Sequence, residues 1–236
     1  MALPKLTAVK FATNLPSNGK KIEFRPFLVK EEKALLVAME AEDMNQMMMS
    51  LRDIVNSCVE EPNFDVGKIP FFDAEYLFLQ LRSKSIGEIS TLQYRHTNGV
   101  NYKGEQCNTA TDINIKLDEI KAENLEEHTD TIKLTDQLSV KMRYPSIIEI
   151  AKIESEKQEI DMVAASIDYA FDANQTYEAD TPEQKVEFVE SMTAQQLQKI
   201  SKFFDTMPRI RHTVKYKCKG CGQEDTVTLE GLADFF

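Results

Sequence analysis

Apolar and polar residues alternate in two short segments near the start of the chain. Phe11 and Thr13 alternate with smaller or polar residues, and Ile22 and Phe24 repeat the pattern further along. A period of two is typical of a β-strand with one buried face. Residues 16–19, with the sequence Pro-Ser-Asn-Gly, have the composition of a turn. We therefore predict an N-terminal β-hairpin.

A helical pattern follows over residues 29–61, which lack Gly and Pro and are rich in Ala, Leu, Met, Glu and Lys. A break at residues 42–45 divides this segment into two predicted helices. A loop with Pro62 and Pro70 comes next, and a third helix is predicted over residues 73–86. Apolar residues recur at helical spacing along the first two helices: Leu35, Leu36, Met39, Met47, Met48, Leu51, Ile54, Val55 and Cys58.

The rest of the chain contains further strands and helices in separate blocks. We predict strands at residues 89–96 and 111–120, a hairpin over 131–145 with its turn at 136–137, helix over 146–174, helices at 182–192 and 193–205, and strands at 209–218 and 224–229. These blocks predict an α+β fold. It has an N-terminal β-hairpin and helices, a central strand-rich part with a Cys-containing turn, and C-terminal helices that end in a zinc-knuckle-like β-hairpin. We expect two regions, residues 1–145 and 146–236, or one compact unit joined through the cysteine turns.

A C-x-x-C-G motif lies between the last two predicted strands. Cys218 and Cys221 are separated by two residues, and Gly220 and Gly222 allow the tight turn that directs both sulfurs toward one ion. Structural zinc is usually held tetrahedrally by four Cys or His side chains. The motif is therefore half of a candidate zinc site, and two more ligands have to come from elsewhere.

The other half of the site is predicted around the earlier turn. Cys107 and His96 flank the long connection between the two central strands, and His212 is an alternative fourth ligand. The segments that follow Cys107 and Cys221 have similar patterns, which points to an internal repeat. The alternative is that Cys107 is a free buried thiol and His96 a surface residue.

A redox role for the C-x-x-C motif is a further alternative. A dithiol oxidoreductase needs this motif at the N-terminus of a helix, where the dipole lowers the thiol pKa. Here Val227 and Leu229 continue a strand instead. The pattern therefore favours a metal site.

Composition narrows the function classes. The 236 residues carry a formal net charge of −11, which argues against nucleic-acid binding across the whole surface. A local basic strand remains, with Arg209, Arg211, Lys215, Lys217 and Lys219, and it permits a zinc-ribbon nucleic-acid-binding module as an alternative function.

No apolar run approaches the roughly 20 residues of a membrane span, and no signal peptide is evident, so we expect a protein of the cytoplasm. No phosphate-binding, nucleophile-elbow or zinc-protease motif occurs, so we do not expect an enzyme.

Two terminal blocks resemble the T4-like bacteriophage baseplate hub proteins. The first is LPSNGKKIEFRPFLVKEEKALLVAMEAED, and the second is SMTAQQLQKISKFFDTMPRIRHTVKYKCKGCGQEDTVTLEGLADFF. The resemblance implies a structural or assembly role in the hub of a contractile-tail baseplate, with other tail and baseplate proteins as partners. It places the protein in the host cytoplasm during assembly, with the virion tail baseplate as a second location. The family's middle region often has its own cysteine pair, whereas the matching region of this chain has only Cys107. The resemblance therefore makes His96 the natural substitute for the missing cysteine ligand.

Two apolar segments are candidate partner-binding surfaces. Met47 and Met48 lie in a methionine run whose flexible side chains suit an adaptable interface. Leu232, Phe235 and Phe236 form an apolar C-terminal tail that is costly to leave in water. The alternatives are ordinary helix packing for the methionines and folding of the tail back onto its own domain.

Overall fold

A computed structural model describes residues 9–40, 44–97, 99–100, 103–123, 127–153 and 158–235. Within these ranges the α-helices are α1 Val29–Glu40, α2 Met44–Cys58, α3 Phe71–Ser85, α4 Ile147–Ile150, α5 Gln158–Ser166, α6 Pro182–Glu190 and α7 Ala194–Thr206. The strands are β1 Phe11–Asn14, β2 Lys21–Phe24, β3 Ile89–His96, β4 Thr109–Lys116, β5 Ala122–Glu123, β6 Thr131–Lys133, β7 Ser139–Met142, β8 Ile167–Phe171, β9 Thr176–Tyr177, β10 Arg209–Lys217 and β11 Glu224–Glu230. The structure confirms the predicted α+β class.

The N-terminal hairpin and the first three helices enclose one hydrophobic core. β1 and β2 pair antiparallel, with Phe11 opposite Phe24, and the fully buried Ile22 and Phe24 face the helices. The predicted break between α1 and α2 lies partly at residues 41–43, outside the described residues. The apolar stripe predicted for α2 points into this core through Leu51, Ile54, Val55 and Cys58.

Two antiparallel hairpins form the second core by packing their apolar faces together. β3 pairs with β4 along eight residues, and β10 pairs with β11, while β5 extends the second sheet at Arg209 and Ile210. Ile113 and Ile115 of β4 meet Val227 and Leu229 of β11 in this core. The alternation of the sequence therefore gives each hairpin one buried face, as predicted.

The third core lies between a four-stranded sheet and the C-terminal helices. The sheet has the order β6-β7-β8-β9, with antiparallel pairing throughout. The apolar sides of α5, α6 and α7 cover it, and their buried members include Val163, Val189, Ile200 and Phe203.

The helix predicted over residues 146–174 is wrong at its C-terminal end. α5 stops at Ser166, and the next five residues, Ile-Asp-Tyr-Ala-Phe, form β8 against β7. Isoleucine, tyrosine and phenylalanine favour strands when a neighbouring strand is available for pairing. The spacing of Ile167 and Phe171 fits a helix as well, so only the tertiary pairing distinguishes the two structures.

Helix α3 connects the first two cores. Leu77 and Phe78 are buried in the first core, whereas Leu79 on the opposite side is buried in the second. A helix that is apolar on several sides is expected in the interior of a fold. Among the helices in the described part of the chain, none has the length and apolar character to cross a membrane.

Candidate metal centre

The β3–β4 hairpin places His96 and Cys107 at the same end of its ladder. His96 is the last residue of β3 and pairs with Thr109, the first residue of β4. In the connection, the backbone N–H of Cys107 donates to the carbonyl of Gly99 at 2.7 Å. This bond folds the connection back, so that the thiol of Cys107 comes near the ring of His96.

The β10–β11 hairpin supplies the second pair of candidate ligands from a tight turn. The N–H of Cys218 donates to Gln223 at 2.9 Å, and the N–H of Gly222 donates to the carbonyl of Cys218 at 2.9 Å. Gly222 has φ +73°, a left-handed conformation that glycine adopts at little cost. The turn therefore needs glycine at this position, and it brings Cys221 back beside Cys218.

Packing of the two hairpins brings all four side chains together. The ligand atoms of His96, Cys107, Cys218 and Cys221 lie within 4.8 Å of one another. The sulfurs of Cys107 and Cys218 are 3.6 Å apart, and the sulfur of Cys221 is 3.3 Å from Nδ1 of His96. The two residues of each pair are far apart in the sequence, by 111 positions for Cys107 and Cys218 and by 125 positions for His96 and Cys221.

The separation of two of the sulfurs fits a tetrahedral metal site. When two thiolates each lie about 2.3 Å from a zinc ion, tetrahedral geometry separates their sulfurs by about 3.8 Å. The observed 3.6 Å between the sulfurs of Cys107 and Cys218 is close to this value. A disulfide would bring the two sulfurs to about 2.05 Å, and all four cysteines of the chain are free.

The site is closed by surrounding protein. His96 is 2% exposed, Cys107 1% and Cys218 2%, while Cys221 is partly buried. The backbone of Gly99 approaches so closely that an added Cβ would lie 2.5 Å from Cε1 of His96. Four protein ligands in such an enclosure leave no position for a substrate, which is the arrangement of structural sites.

Hydrogen bonds in the site favour the metal-binding thiolate form of Cys107 and Cys218. The backbone N–H groups of Cys221 and Gly220 lower the pKa of the Cys218 thiol to about 6. The hydrogen bond to His96 lowers the pKa of Cys107, and the same bond raises the pKa of His96. The pKa of Cys221 is raised, because burial and the neighbouring Cys218 and Cys107 outweigh the backbone bond from Gln223. A cation would stabilise all three thiolates together.

One carboxylate lies behind the imidazole. Nε2 of His96 is 3.3 Å from Oδ2 of Asp225 on β11. The sequence analysis missed this residue, although a signal for it was present. Asp225 alternates with Val227 and Leu229, so it shares their inward face.

Comparison with known proteins identifies the family. A family model described as T4 bacteriophage base plate protein matches residues 8–236. The chain belongs to this family. A search of curated proteins and a search of solved structures each found no match.

Membership of the baseplate family makes this chain a structural phage component.

The structure brings together the four residues predicted as metal ligands, His96, Cys107, Cys218 and Cys221. The alternative ligand, His212, lies within β10, where it pairs with Leu229, and does not belong to this group of four. The site therefore contains one imidazole and three sulfurs.

Most of the residues predicted to bind partners are packed within the fold. Met48 is buried in the first core, and Met47 is half-buried on the same helix. Phe235 has 0% exposure in the second core, and its carbonyl accepts a hydrogen bond from Ser90 at 3.1 Å. Leu232 is half-buried against both cores. A buried side chain contacts a partner only if its segment detaches. Phe235 is therefore folded back onto its own domain, which is the alternative given for the tail. Phe236 lies outside the described residues.

Three of the basic residues predicted to share a strand pair with carboxylates, two of them on β10 and Lys219 in the turn that follows it. Arg209 and Arg211 both pair with Glu230 on β11, at 2.5 and 2.7 Å. Lys219 pairs with Asp112 at 2.7 Å. These pairs reduce the positive charge that a nucleic-acid backbone would meet, which weighs against the zinc-ribbon nucleic-acid alternative.

Proposed function

We propose that this protein is a structural or assembly component of the baseplate hub and acts through protein–protein contacts. The observation that carries the proposal is the family match over residues 8–236. The sequence adds no catalytic motif that would suggest a separate activity. In this proposal the protein meets its tail and baseplate partners in the host cytoplasm during assembly and acts at the tail baseplate.

We further propose that His96, Cys107, Cys218 and Cys221 hold one zinc ion. Three cysteine sulfurs and an imidazole whose ligand atoms lie within 4.8 Å of one another are a donor set that suits zinc, whereas magnesium and calcium prefer oxygen ligands. The ion acts as a clip between the β3–β4 hairpin and the β10–β11 hairpin. It stabilises the fold that the assembly contacts require and takes no part in a reaction.

Metal content tests the zinc proposal directly. We expect wild-type protein purified without chelators to contain one zinc per chain by mass spectrometry, and Cys107→Ser to lose it, because a hydroxyl is a poor zinc ligand. Cys58→Ser is a matched control, because Cys58 is also a buried free cysteine but lies in the first core. Wild-type protein without zinc, or equal loss in both variants, would contradict the proposed site.

Co-purification tests the hub proposal. We expect the tagged protein, co-expressed with the tail baseplate proteins of its phage, to co-purify with a defined subset of them at a fixed stoichiometry. The major capsid protein of the same phage serves as the negative control. Purification of this chain alone from cells that express every baseplate protein would argue against a hub role.

A redox function makes a different prediction. A dithiol oxidoreductase would reduce a model disulfide such as insulin catalytically, and Cys221→Ser would abolish that activity. The C-x-x-C turn lies between two strands rather than at the N-terminus of a helix, and in the proposed site both of its thiolates are bound to zinc, so we expect no catalytic reduction by the zinc-loaded protein.

A further inference from the structure

Asp225 lies beside the candidate metal centre and contacts the imidazole of His96. Its Oδ2 lies 3.3 Å from Nε2 of His96, whereas the sulfur of Cys221 lies 3.3 Å from the other ring nitrogen, Nδ1. The carboxylate is directed inward by β11, because residues 225, 227 and 229 share one face of that strand. The neighbouring Glu224 is exposed on the other face.

We propose that Asp225 is a positioning residue that makes Nδ1 of His96 the metal-binding atom. This inference rests on the proposed zinc site and deepens it. A neutral imidazole has one N–H and one lone pair, so a hydrogen bond at one nitrogen decides which nitrogen binds the metal. An N–H donated from Nε2 to Asp225 leaves the lone pair on Nδ1, which faces the sulfur of Cys221 at 3.3 Å.

The carboxylate also makes His96 a stronger ligand. A negative charge at the far nitrogen increases the electron density that the imidazole donates to a cation. Metal-bound histidines usually have such a partner, which fixes both the tautomer and the orientation of the ring. Asp225 gives His96 this partner in a site where the other three ligands are sulfurs.

The surrounding residues hold the imidazole in the orientation that this role requires. Tyr216, which pairs with Asp225 across the β10–β11 ladder, meets the His96 ring edge-on with centroids 6.3 Å apart. The backbone of Gly99 closes the side at Cε1. The ring therefore has little room to turn, so its two nitrogens keep their separate partners.

Zinc affinity tests the proposal. We expect Asp225→Asn to bind Zn²⁺ about 10- to 100-fold more weakly than wild type in competition with a chromophoric chelator. Glu224→Gln is the matched control, because it removes the same charge from the adjacent position of the same strand, and its affinity should equal that of wild type. Asp225→Glu should recover part of the loss, because it retains the carboxylate.

A double-mutant cycle shows whether Asp225 acts through His96. In a His96→Cys background the site has four sulfurs, and Asp225→Asn should then leave the zinc affinity unchanged. An equal loss in both backgrounds would mean that the carboxylate acts on the site as a whole, and it would overturn the positioning role. If Asp225→Asn only destabilises the fold, the loss appears in both backgrounds, and that outcome also overturns the positioning role.

The outcomes separate this proposal from the zinc site itself. Wild-type protein that fails to bind Zn²⁺ overturns both proposals. Wild-type protein that binds Zn²⁺ with the same affinity as Asp225→Asn overturns the role of Asp225 and leaves the zinc site standing. A loss of zinc affinity in Glu224→Gln as large as in Asp225→Asn would show that the effect comes from net charge, and it would also overturn the positioning role.

Discussion

Cys58 and Cys107 are both buried free cysteines, yet their surroundings give them opposite chemistry. Burial raises the pKa of Cys58 in the first core, and it outweighs the lowering effect of Ser57 and Arg25, whose side chains each lie 3.7 Å from the sulfur. Cys107 faces the ring of His96, and the hydrogen bond between them lowers its pKa. A thiol that ionises readily beside two other sulfurs suits a metal, whereas Cys58 behaves as a small apolar side chain.

The close approach of Gly99 to the site gives a prediction at the same scale. In Gly99→Ala the new Cβ would lie 2.5 Å from Cε1 of His96 and 3.1 Å from the sulfur of Cys221. Both atoms belong to packed side chains, so we expect the site to be pushed open at a cost of about 1 to 3 kcal/mol. Urea unfolding of the zinc-loaded protein measures this cost.

Zinc affinity provides a second readout for the same variant. Gly99→Ala should bind Zn²⁺ more weakly, because the shift of His96 alters one of the four ligands. Unchanged stability together with unchanged affinity would show that the connection moves aside without strain.

At the scale of elements, each of the two ligand-bearing hairpins follows an α-helix and is followed by a 3-10 helix. α3 precedes β3, β4 and a 3-10 helix at Leu117–Glu119, and α7 precedes β10, β11 and a 3-10 helix at Leu232–Phe235. Each unit contributes two candidate ligands from the turn between its strands or from the strand end that adjoins it. This order of elements supports the internal repeat suggested by the sequence, and a shared metal would join its two copies.

The start of α7 provides a test of how this unit is stabilised. Thr193 accepts a hydrogen bond from the N–H of Gln196 at 3.3 Å, and the Gln196 side chain accepts one from the N–H of Thr193 at 2.8 Å. Thr193→Ala removes the first bond and should destabilise the protein by about 1 kcal/mol in urea unfolding. Thr193→Ser keeps the hydroxyl and is the control. Equal loss in both variants would assign the effect to the methyl group.

At the scale of the whole molecule, Glu75 links α3 to the C-terminal tail. The side chain is 6% exposed, and its Oε1 accepts a hydrogen bond from the N–H of Leu232 at 2.9 Å. Burial raises the pKa of this carboxyl group from 4.5 to about 7, and the charge of Glu230 adds to the shift. Above that pH a buried negative charge has to be tolerated at the junction of the first two cores.

The raised pKa predicts how stability changes with pH. Between pH 4.5 and 7 the folded state holds a proton on Glu75 that the unfolded state has lost, so the contribution of Glu75 to stability falls as pH rises through this window. Glu75→Gln removes the charge and keeps an oxygen that can accept from Leu232. We expect this variant to be more stable than wild type at pH 8, by up to about 3 kcal/mol, with little difference at pH 4.5.

Urea unfolding at the two pH values measures this difference. Glu190→Gln on the exposed end of α6 is the control, and its effect should not depend on pH in the same way. A Glu75→Gln protein that is less stable than wild type at pH 8 would show that the charge is stabilising, and it would contradict the argument from burial.

The local pattern of the sequence was sufficient for most of the elements. The observed β3 spans the predicted residues 89–96, and the N-terminal hairpin, α3, α6, α7 and the C-x-x-C hairpin lie close to their predicted positions. Periodicity and turn residues act over a few neighbours, so these features can be read along the chain. Residues 167–171 show the limit, because their spacing fits both a helix and a strand, and pairing with β7 decided between them.

The four candidate ligands could be proposed from residue type and spacing, but their convergence could not. The sequence by itself determined that Cys218 and Cys221 share a turn and that His96 and Cys107 flank another. Only the tertiary structure decided that the two turns meet, that Asp225 lies behind His96 and that Phe235 is buried. The physical reason is that hydrophobic packing of the two hairpins sets these contacts, and it acts between residues more than 100 positions apart.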